Sequence, residues 1–434
     1  MERLLLNDLV VWKNNAHRKP LLLQGARQTG KSWVLGEFGK REFENVVTFD
    51  FLLDVSARSV FERDLDPHRI IRELELRAGR SIDPHSTLLV LDELQEAPHG
   101  VTALKYFCED APEYHVAAAG SYLGLALRRR RESFPVGKVD MLTMRPLCFE
   151  EFVRARAGEP LAQALNEADM ELLGAVAGLL EGYLREYLYV GGMPEVVASF
   201  AEAQNFAEAR HLQLEINAAY DADFSKHAPG RLLERMRLVW ASLPGQLARE
   251  NKKFVYGNVR PGARARDFEE CLQWLADYGA VHRVGRCSAL RHPLAAYADS
   301  SAFKLFCVDV GLLGAAAGVD ARSVVEGDAL FVEYKGAMAE QYVLQELVHK
   351  GYGPRYWSSD TGTAETDFAV DAAGRVLPIE VKAGENLRSK SLRVACEKFG
   401  LERAVRTSLA GYRDDGWLVN IPLWAIGLLG KLEG

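Results

Sequence analysis

The sequence contains no long apolar run. None of its apolar stretches approaches the roughly 18 residues that a helix needs to cross a bilayer, so we expect no membrane-spanning helix and no membrane partner. The opening stretch MERLLLNDLVVWKNN carries charges within its apolar part and lacks a small-residue cleavage site. This pattern favours an amphipathic first helix over a signal peptide.

Paired cysteine motifs are also missing. The six cysteines are scattered and none has CxxC spacing, which argues against a zinc site and against a disulfide framework. We therefore expect free thiols in a reducing cytoplasm. The cysteines are Cys108, Cys148, Cys271, Cys287, Cys307 and Cys396.

Positive charge is not in excess, because the formal net charge is -7. This balance does not suit a protein that coats nucleic acid non-specifically. Contact with nucleic acid would need local basic patches, and two exist, at Arg128–Arg131 and at Arg260–Arg266. Runs of charge are more often solvated faces, so the patches alone are weak evidence.

The length of 434 residues is too great for one compact core, so we expect about two to four domains. The hydrophobic content of 48% and the charged content of 26% are typical of a folded globular protein.

A phosphate-binding loop follows the first apolar strand. KPLLLQ leads directly into GARQTGKS and then into a helical pattern, which is the strand, loop and helix order that a P-loop needs. Glycines let the loop wrap so that backbone N–H groups point at phosphate oxygens. Lys31 would reach the β- and γ-phosphates of ATP, and the Ser32 hydroxyl would bind Mg²⁺. The predicted nucleotide-binding residues of the loop are Gly25, Ala26, Arg27, Gln28, Thr29, Gly30, Lys31 and Ser32.

Two further strands are predicted to end in the same site. STLLVLDELQEAP reads as a buried strand that ends at Asp92 and Glu93, a Walker B pattern in which Asp92 holds Mg²⁺ through water and Glu93 polarises the attacking water. YHVAAAGS ends at Ser121, which is either a sensor of the γ-phosphate or an ordinary turn serine. With VVTFDF as another strand and helices between, we predict an α/β fold with a parallel sheet.

A second site is predicted in the hairpin TDFAVDAAGRVLPIEVKAG. If its turn is centred on Ala373 and Gly374, then Asp367 faces Glu380, and Asp367, Glu380 and Lys382 share one face of the sheet. Two facing carboxylates repel unless a cation lies between them, and oxygen ligands suit Mg²⁺. The pattern therefore predicts a metal site. The alternative is an exposed hairpin with a surface Glu/Lys pair.

This hairpin resembles the core of PD-(D/E)XK nucleases. In that family Asp and Glu bind the metal and Lys orients or activates the attacking water, which implies metal-binding roles for Asp367 and Glu380 and catalytic roles for Glu380 and Lys382. The family usually adds an acidic residue from a preceding helix. Glu340, in the helical stretch 334–351, is the candidate, and the alternative is a plain surface glutamate.

The whole chain resembles bacterial AAA-superfamily ATP-binding proteins that carry an uncharacterised C-terminal domain. The matching stretches are GARQTGKS, LDELQEAP, PLCFEEF, EYLYVGGMPEVV and IEVKAG. The resemblance implies an ATP-binding and ATP-hydrolysing P-loop core with Mg²⁺. Lys138 stands where the family's Gly-Arg pair places an arginine, and Lys lacks the planar fork with which an arginine would sense a neighbouring subunit's nucleotide. Arg128–Arg131 are alternatives.

Four domains are predicted on this basis. They are an ATPase core at 1–150, a helical lid and linker at 151–225, a winged-helix module at 226–298 and a PD-(D/E)XK nuclease-like domain at 299–434. The stretch DFEECLQWLADYGAVHRV looks like the second helix and wing of the winged-helix module. Arg260, Arg264 and Arg266 precede that helix, which favours a phosphate contact.

Two functions follow from these patterns, and both remain open. One is an ATP-hydrolysing protein that acts on nucleic acid through a metal-dependent nuclease-like domain. The other is a nucleotide-gated switch whose nuclease-like domain only recognises its partner. A small-molecule P-loop kinase fits less well, because no acceptor site stands out. The sequence leaves the oligomeric state open.

Overall fold

The computed structural model describes residues 1–121, 133–249, 252–325, 332–359, 364–384 and 389–433. The chain divides into two compact units. We call Glu2–Arg145 with Asp277–Gly279 the N-terminal unit, and Pro146–Ala276 with Ala280–Gly434 the C-terminal unit. Within the described ranges, no helix is both long enough and apolar enough to cross a membrane.

The N-terminal unit alternates strands and helices. Its strands are β1 (Leu21–Gln24), β2 (Asn45–Asp50), β3 (Thr87–Asp92), β4 (His115–Gly120) and β5 (Asp140–Thr143). Its helices are α1 (Leu5–Asn14), α2 (Lys31–Glu42), α3 (Pro67–Ala78) and α4 (Gly100–Asp110), with 3-10 turns at Val55–Phe61 and Leu94–Glu96. The five strands form one sheet in the order β2-β3-β4-β1-β5, and all its pairs are parallel.

The apolar strands of this sheet are buried on both faces. Along β3, Leu88 and Val90 belong to one hydrophobic core, which also contains residues of α1 and α2. Leu89 and Leu91 belong to the other core, which contains residues of α3 and α4. Successive strand residues point to opposite faces, so a strand covered on both faces must be apolar throughout. The predicted α/β class with a parallel sheet is confirmed.

The C-terminal unit begins with helices and continues into a mixed sheet. Its helices are α5 (Phe149–Ala157), α6 (Glu159–Glu167), α7 (Met170–Ala175), α8 (Ala177–Val190), α9 (Pro194–Ala203), α10 (Phe206–His227), α11 (Gly230–Leu247), α12 (Tyr256–Val259), α13 (Ala265–Tyr278), α14 (Val310–Ala316), α15 (Ala321–Val325), α16 (Val332–His349), α17 (Lys390–Phe399) and α18 (Leu429–Leu432), with 3-10 turns at Leu294–Tyr297 and Leu423–Leu428. Helices α5 to α10 cover most of the stretch 151–225 that the sequence predicts to be helical.

The strands of this unit are β6 (Val281–Cys287), β7 (Ala298–Cys307), β8 (Arg355–Ser358), β9 (Glu365–Ala372), β10 (Arg375–Val381), β11 (Ala404–Ser408), β12 (Arg413–Asp414) and β13 (Leu418–Pro422). They form an eight-stranded sheet in the order β12-β13-β11-β10-β9-β8-β6-β7. The pairs β6–β8, β10–β11 and β11–β13 are parallel, and the others are antiparallel.

The C-terminal unit is one compact body where the sequence predicts three domains. The hairpin of β6 and β7, which the sequence assigns to a winged-helix module, is hydrogen-bonded into the larger sheet because Arg286 pairs with Tyr356 and Cys287 with Trp357. The predicted boundary between residues 298 and 299 therefore falls inside β7. A pairing between strands far apart in the chain leaves no local pattern, so the sequence did not reveal it.

The GGMPE stretch, whose role the sequence leaves unexplained, is a point of close backbone approach. A Cβ atom on Gly192 would lie 2.1 Å from the carbonyl oxygen of Leu147. The Gly192 N–H donates to Asp309 Oδ2 at 2.7 Å, and the Leu147 N–H donates to the Gly192 carbonyl oxygen at 2.6 Å. A Cβ atom on Gly191 would lie 2.2 Å from Asp309 Oδ1. The two glycines Gly191 and Gly192 therefore let three chain segments meet within the C-terminal unit.

Candidate functional site

The P-loop joins β1 to α2 and contains three residues with positive φ. Gly25, Gln28 and Gly30 have φ of 151°, 62° and 90°. Glycine reaches this region without steric cost. A Cβ atom on Gly25 would also lie 2.1 Å from the Met144 carbonyl oxygen. A larger residue at Gly25 would therefore displace the neighbouring backbone.

Lys31 begins α2 and is buried in the loop. Its Nζ donates to the carbonyl oxygens of Gly25 at 3.1 Å and Ala26 at 2.8 Å. Burial lowers the pKa of Lys31 to about 8, although the nearby Glu93 and Asp92 carboxylates oppose the shift. The ammonium is therefore held where a triphosphate would add the negative charge that favours its protonated form.

The first turn of α2 supplies the remaining anion-binding groups. The first N–H groups of a helix have no intrahelical partner and attract anions. Ser32, the second residue of α2, is exposed. Its hydroxyl is therefore accessible to a metal ion bound beside the phosphates.

Asp92 and Glu93 lie at the end of β3, as the sequence predicts. Asp92 is 5% exposed, and its Oδ1 accepts from the Glu93 N–H at 3.0 Å. Glu93 has a positive φ of 48°, which is uncommon for a residue other than glycine and marks a constrained position. Burial raises the pKa of Glu93 above its ordinary value, although the hydrogen bond from Gln95 and the Lys31 charge oppose the shift.

Two neighbours contact the Glu93 carboxylate. Gln95 Nε2 donates to Glu93 Oε2, and Ser121 Oγ lies 3.4 Å from Glu93 Oε1. Because Gln24 pairs with Gly120 in the sheet, the P-loop and Ser121 begin at the same edge. Gln95 was missed by the sequence analysis. Its position two residues after Glu93 was the available signal.

Arg3 supports the loop from outside. Its guanidinium donates to the carbonyl oxygens of Thr29 at 3.1 Å and Arg145 at 2.7 Å, and Arg3 is 3% exposed. Thr29 is also buried, and its Oγ1 donates to the Ala26 carbonyl oxygen at 2.8 Å. No local pattern predicts this contact, because Arg3 lies far from the loop along the chain.

These residues fit a nucleoside triphosphate with Mg²⁺. The loop backbone and the start of α2 offer N–H donors, Lys31 offers a cation, and Ser32 and Asp92 offer oxygen atoms to a metal. The positive charge of Arg27 also acts on Lys31 and Glu93. All the predicted nucleotide-site residues lie in the N-terminal unit: Gly25, Ala26, Arg27, Gln28, Thr29, Gly30, Lys31, Ser32, Asp92, Glu93 and Ser121.

Lys138 stands where the resemblance places an arginine finger. Lys138 forms an ion pair with Glu109, with 2.9 Å between Nζ and Oε1. Arg128–Arg131 lie outside the described residues.

The hairpin of the C-terminal unit has the predicted register. In the ladder of β9 and β10, Phe368 pairs with Ile379 and Val370 pairs with Leu377. The paired ladder ends at Phe368 and Ile379, so the predicted pairing of Asp367 with Glu380 is not part of it. The neighbouring β8–β9 ladder shifts register beside Asp367, between the pairs Arg355–Ala369 and Trp357–Thr366, and such an irregularity interrupts the alternation of side chains. The Asp367 Oδ2 accepts from the Val381 N–H at 2.7 Å, so this carboxylate is fixed to the backbone of the neighbouring strand.

A buried lysine lies among the carboxylates of this site. Lys304 of β7 is 1% exposed, and its Nζ lies 2.6 Å from Glu365 Oε1, 3.8 Å from Glu340 Oε2 and 4.0 Å from Asp367 Oδ1. Lys252 also pairs with Glu340 Oε1. We call Lys252, Lys304, Glu340, Glu365 and Asp367 the carboxylate cluster. Its two ammonium groups provide the positive charge that the sequence assigned to a metal ion.

The pKa values of the two predicted ligands in the cluster shift in opposite directions. Burial and the Glu340 carboxylate raise the pKa of Asp367 to about 7, and Lys304 opposes the shift. Burial also acts to raise the pKa of Glu340, but Lys252 and Lys304 lower it below its ordinary value. Glu340 is therefore the ionised partner, and Asp367 gains or loses its proton near neutral pH.

Glu380 and Lys382 form a separate pair. Lys382 Nζ lies 2.8 Å from Glu380 Oε1. Among the described residues, only one group of three Cys, His, Asp or Glu side chains has ligand atoms within 4.8 Å of one another. It does not contain Glu340, Asp367 or Glu380. The structure thus brings Glu340 and Asp367 together and does not bring the three predicted metal ligands into one such group.

The basic patch at the start of α13 is exposed. Its three arginines are all exposed: Arg260, Arg264 and Arg266. The nearest acid to Arg266 is Asp267, with 3.9 Å between Nε and Oδ1. These guanidinium groups are accessible at the start of a helix, where phosphate contacts are common.

Comparison with protein-family models divides the chain into three parts. Residues 17–153 match the AAA domain family, residues 181–323 match a domain of unknown function (DUF8612), and residues 335–425 match another (DUF4143). The N-terminal unit thus contains an AAA-type ATPase-like domain. No curated protein matches the chain significantly.

Three solved structures share part of the arrangement. The Walker-type ATPase PABY2304 of Pyrococcus abyssi is 13% identical, with a TM-score of 0.41, over 72% of this chain and 94% of its own. The ORC1 protein of Aeropyrum pernix in complex with DNA is 14% identical, with a TM-score of 0.26, over 73% and 90%. The ORC2 protein of the same organism is 15% identical, with a TM-score of 0.29, over 74% and 89%. At these values the likeness supports no conclusion about function.

Proposed function

We propose that this protein is a nucleotide-gated switch that binds and hydrolyses ATP at its P-loop and recognises nucleic acid through its C-terminal unit. The observation that carries the ATPase part is the position of Lys31, whose ammonium lies inside the loop and within the electrostatic influence of Asp92 and Glu93. A buried lysine beside two acids at the end of parallel strands suits phosphate binding and water activation.

Each residue of the site has a role in this proposal. Lys31 and the N–H groups at the start of α2 bind the phosphates. Ser32 and Asp92 would hold Mg²⁺, which when bound would neutralise charge on the phosphates. Glu93 accepts a proton from the attacking water, a role that its raised pKa favours. Gln95 and Ser121 orient the Glu93 carboxylate through their contacts with it.

The C-terminal unit acts as a recognition module in this proposal. The supporting observation is Lys304, which offers one ammonium to three carboxylates, while Lys252 offers another to Glu340. Divalent cations bind where carboxylates lack another counter-charge. A metal ion at Asp367 and Glu340 would therefore have to compete with two lysines that are already in place.

The metal-dependent nuclease is the second candidate. It is favoured by one observation, the approach of the Glu340 and Asp367 carboxylates to the same ammonium of Lys304, which brings two of its predicted ligands together. In this case Asp367 and Glu380, with Glu340, would bind Mg²⁺, and Lys382 would leave its pair with Glu380 to orient water.

Nucleic acid is proposed as the partner because of the exposed patch Arg260, Arg264 and Arg266. The patch lies at the start of α13, where Arg266 is the second residue of the helix, and its charge contrasts with the net charge of -7 of the chain. The six cysteines are free thiols, which supports a cytoplasmic location.

The partner proposal predicts that neutralising the patch weakens binding without regard to sequence. Arg264→Ala and Arg266→Ala should each reduce affinity for labelled DNA or RNA and lower the salt slope of binding by about 1 per lost phosphate contact. Fluorescence anisotropy over a salt series, with a non-hydrolysable ATP analogue and without nucleotide, measures both effects.

Arg63→Ala serves as the matched control, because the Arg63 side chain is 81% exposed but lies in the N-terminal unit outside the patch. It should bind as the unmodified protein does. Equal affinities and equal salt slopes for all variants would rule out the patch as the contact surface. An affinity that is the same with and without the nucleotide analogue would rule out gating.

A further inference from the structure

Cys148, Glu151 and His349 form a compact group of three different metal-ligating side chains. One ligand atom from each lies within 4.8 Å of the others. Among the residues that the structure describes, this is the group that meets such a criterion. We call it the Cys-Glu-His group. None of its members belongs to the nucleotide site or to the carboxylate cluster.

Two helix ends bring these residues together. Cys148 is the residue before α5, and Glu151 is the third residue of that helix. His349 is the last residue of α16. The Cys148 N–H donates to Glu151 Oε2 at 3.1 Å, and His349 Nε2 lies 3.4 Å from the same oxygen. The reciprocal cap between Cys148 and Glu151 at the start of α5 therefore holds the thiol and the carboxylate close to the His349 imidazole.

Burial excludes a catalytic role for the group. Cys148 and Glu151 are each 1% exposed, so a substrate cannot reach the thiol for a nucleophilic attack by a Cys-His pair. A structural metal ion needs no such access. The His349 side chain remains 14% exposed, which leaves an entry path for an ion along the imidazole.

The ligand types select the metal. Thiolate, imidazole and carboxylate are each ligand types that Zn²⁺ binds, with bonds of about 2.0–2.3 Å in a tetrahedral arrangement. Tetrahedral ligand atoms at such bond lengths lie about 3.5 Å apart, so the present group needs only small side-chain movements. One thiolate and one carboxylate also balance the two charges of the ion, which a buried site requires.

We propose that Cys148, Glu151 and His349 bind a structural Zn²⁺ ion that fastens the start of α5 to the end of α16. A water molecule takes the fourth position. Helix α16 also carries Glu340, so the ion would fix the helix that supplies one carboxylate of the carboxylate cluster. The ligands come from segments about 200 residues apart along the chain. A search for closely spaced cysteines such as CxxC therefore could not find this site.

The chain offers a substitution that separates metal binding from folding. Cys148→Ser keeps a side chain that caps α5, since serine is a preferred residue at this position, but it removes the thiolate. Cys396→Ser is the matched control, because Cys396 is a buried cysteine in α17 and no member of the group. Both proteins should fold, as circular dichroism can verify.

Metal analysis of the purified full-length protein tests the proposal. We expect about one zinc ion per chain in the unmodified protein and in Cys396→Ser, and loss of most of that zinc in Cys148→Ser and in His349→Gln. Reconstitution of metal-free protein with Co²⁺ should produce a thiolate-to-cobalt absorption band in the first two proteins and not in Cys148→Ser.

Two results would overturn the zinc site. One is the absence of the cobalt band in reconstituted unmodified protein. This measurement does not depend on whether any variant folds. The other is an equal zinc content in Cys148→Ser and in the unmodified protein. Thermal unfolding adds an independent measurement, because a chelator should lower the melting temperature of the unmodified protein and leave that of Cys148→Ser unchanged.

Discussion

Lys31→Ala should abolish ATP hydrolysis, and Glu93→Gln should slow it by about 10²–10⁴-fold while nucleotide binding persists. The lysine variant loses the charge-assisted contact to the phosphates. The glutamine variant keeps the volume of Glu93 but cannot accept the proton of the attacking water. Phosphate release measures hydrolysis, and a fluorescent ATP analogue measures binding.

Lys40→Ala is the control for this experiment. Lys40 lies in the same helix as Lys31 but is exposed, so its removal should leave the rate unchanged. Hydrolysis at the unmodified rate in both Lys31→Ala and Glu93→Gln would show that the P-loop is not the hydrolytic site. A loss of binding in Glu93→Gln would instead mean that this carboxylate shapes the loop.

Lys304→Met should destabilise the C-terminal unit by about 3–5 kcal/mol, because removing one partner of a buried ion pair leaves the others without a counter-charge. Burial alone would lower the pKa of Lys304, but Glu340, Glu365 and Asp367 raise it above its ordinary value. Methionine keeps the length and apolar stem of lysine, so the loss reports on charge. Denaturant unfolding followed by fluorescence measures the change.

The same variant tests whether the ammonium holds the place of a metal ion. Mg²⁺ or Mn²⁺ should restore part of the stability of Lys304→Met, since a ligand that binds only the folded state stabilises it, and should have little effect on the unmodified protein. Lys226→Met is the control, because Lys226 is an exposed lysine of α10 outside the carboxylate cluster, and a surface substitution usually changes stability by no more than about 0.5 kcal/mol. Equal stability of Lys304→Met and the unmodified protein would contradict the role given to Lys304.

The parts of the fold that could be predicted are those that depend on residues close together in the sequence. The P-loop turns depend on Gly25 and Gly30, and the apolar run before Asp92 marks a strand buried on both faces. The register of the β9–β10 hairpin follows from Phe368 and Ile379, because a slip by one residue would turn both outward. In each case a local spacing carries a physical requirement.

The rest depends on contacts between distant segments. Lys304 contacts Asp367 and Glu365 from another strand. No spacing in the sequence predicts that a lysine lies between these carboxylates. Arg3 supports Thr29 in the same way. The pairing of β6 with β8 joins stretches that the sequence assigned to different domains. Tertiary packing decides all of these features, and alternation or motif patterns do not encode it.

One reaction tests the proposed switch most directly. The purified protein is incubated with ATP, Mg²⁺ or Mn²⁺ and labelled single- and double-stranded DNA and RNA, and both released phosphate and nucleic-acid length are measured. The proposal predicts phosphate release that Lys31→Ala abolishes, with the nucleic acid left intact. Cleavage that requires the divalent ion and disappears in Asp367→Ala and Glu380→Ala would contradict it and establish the nuclease instead.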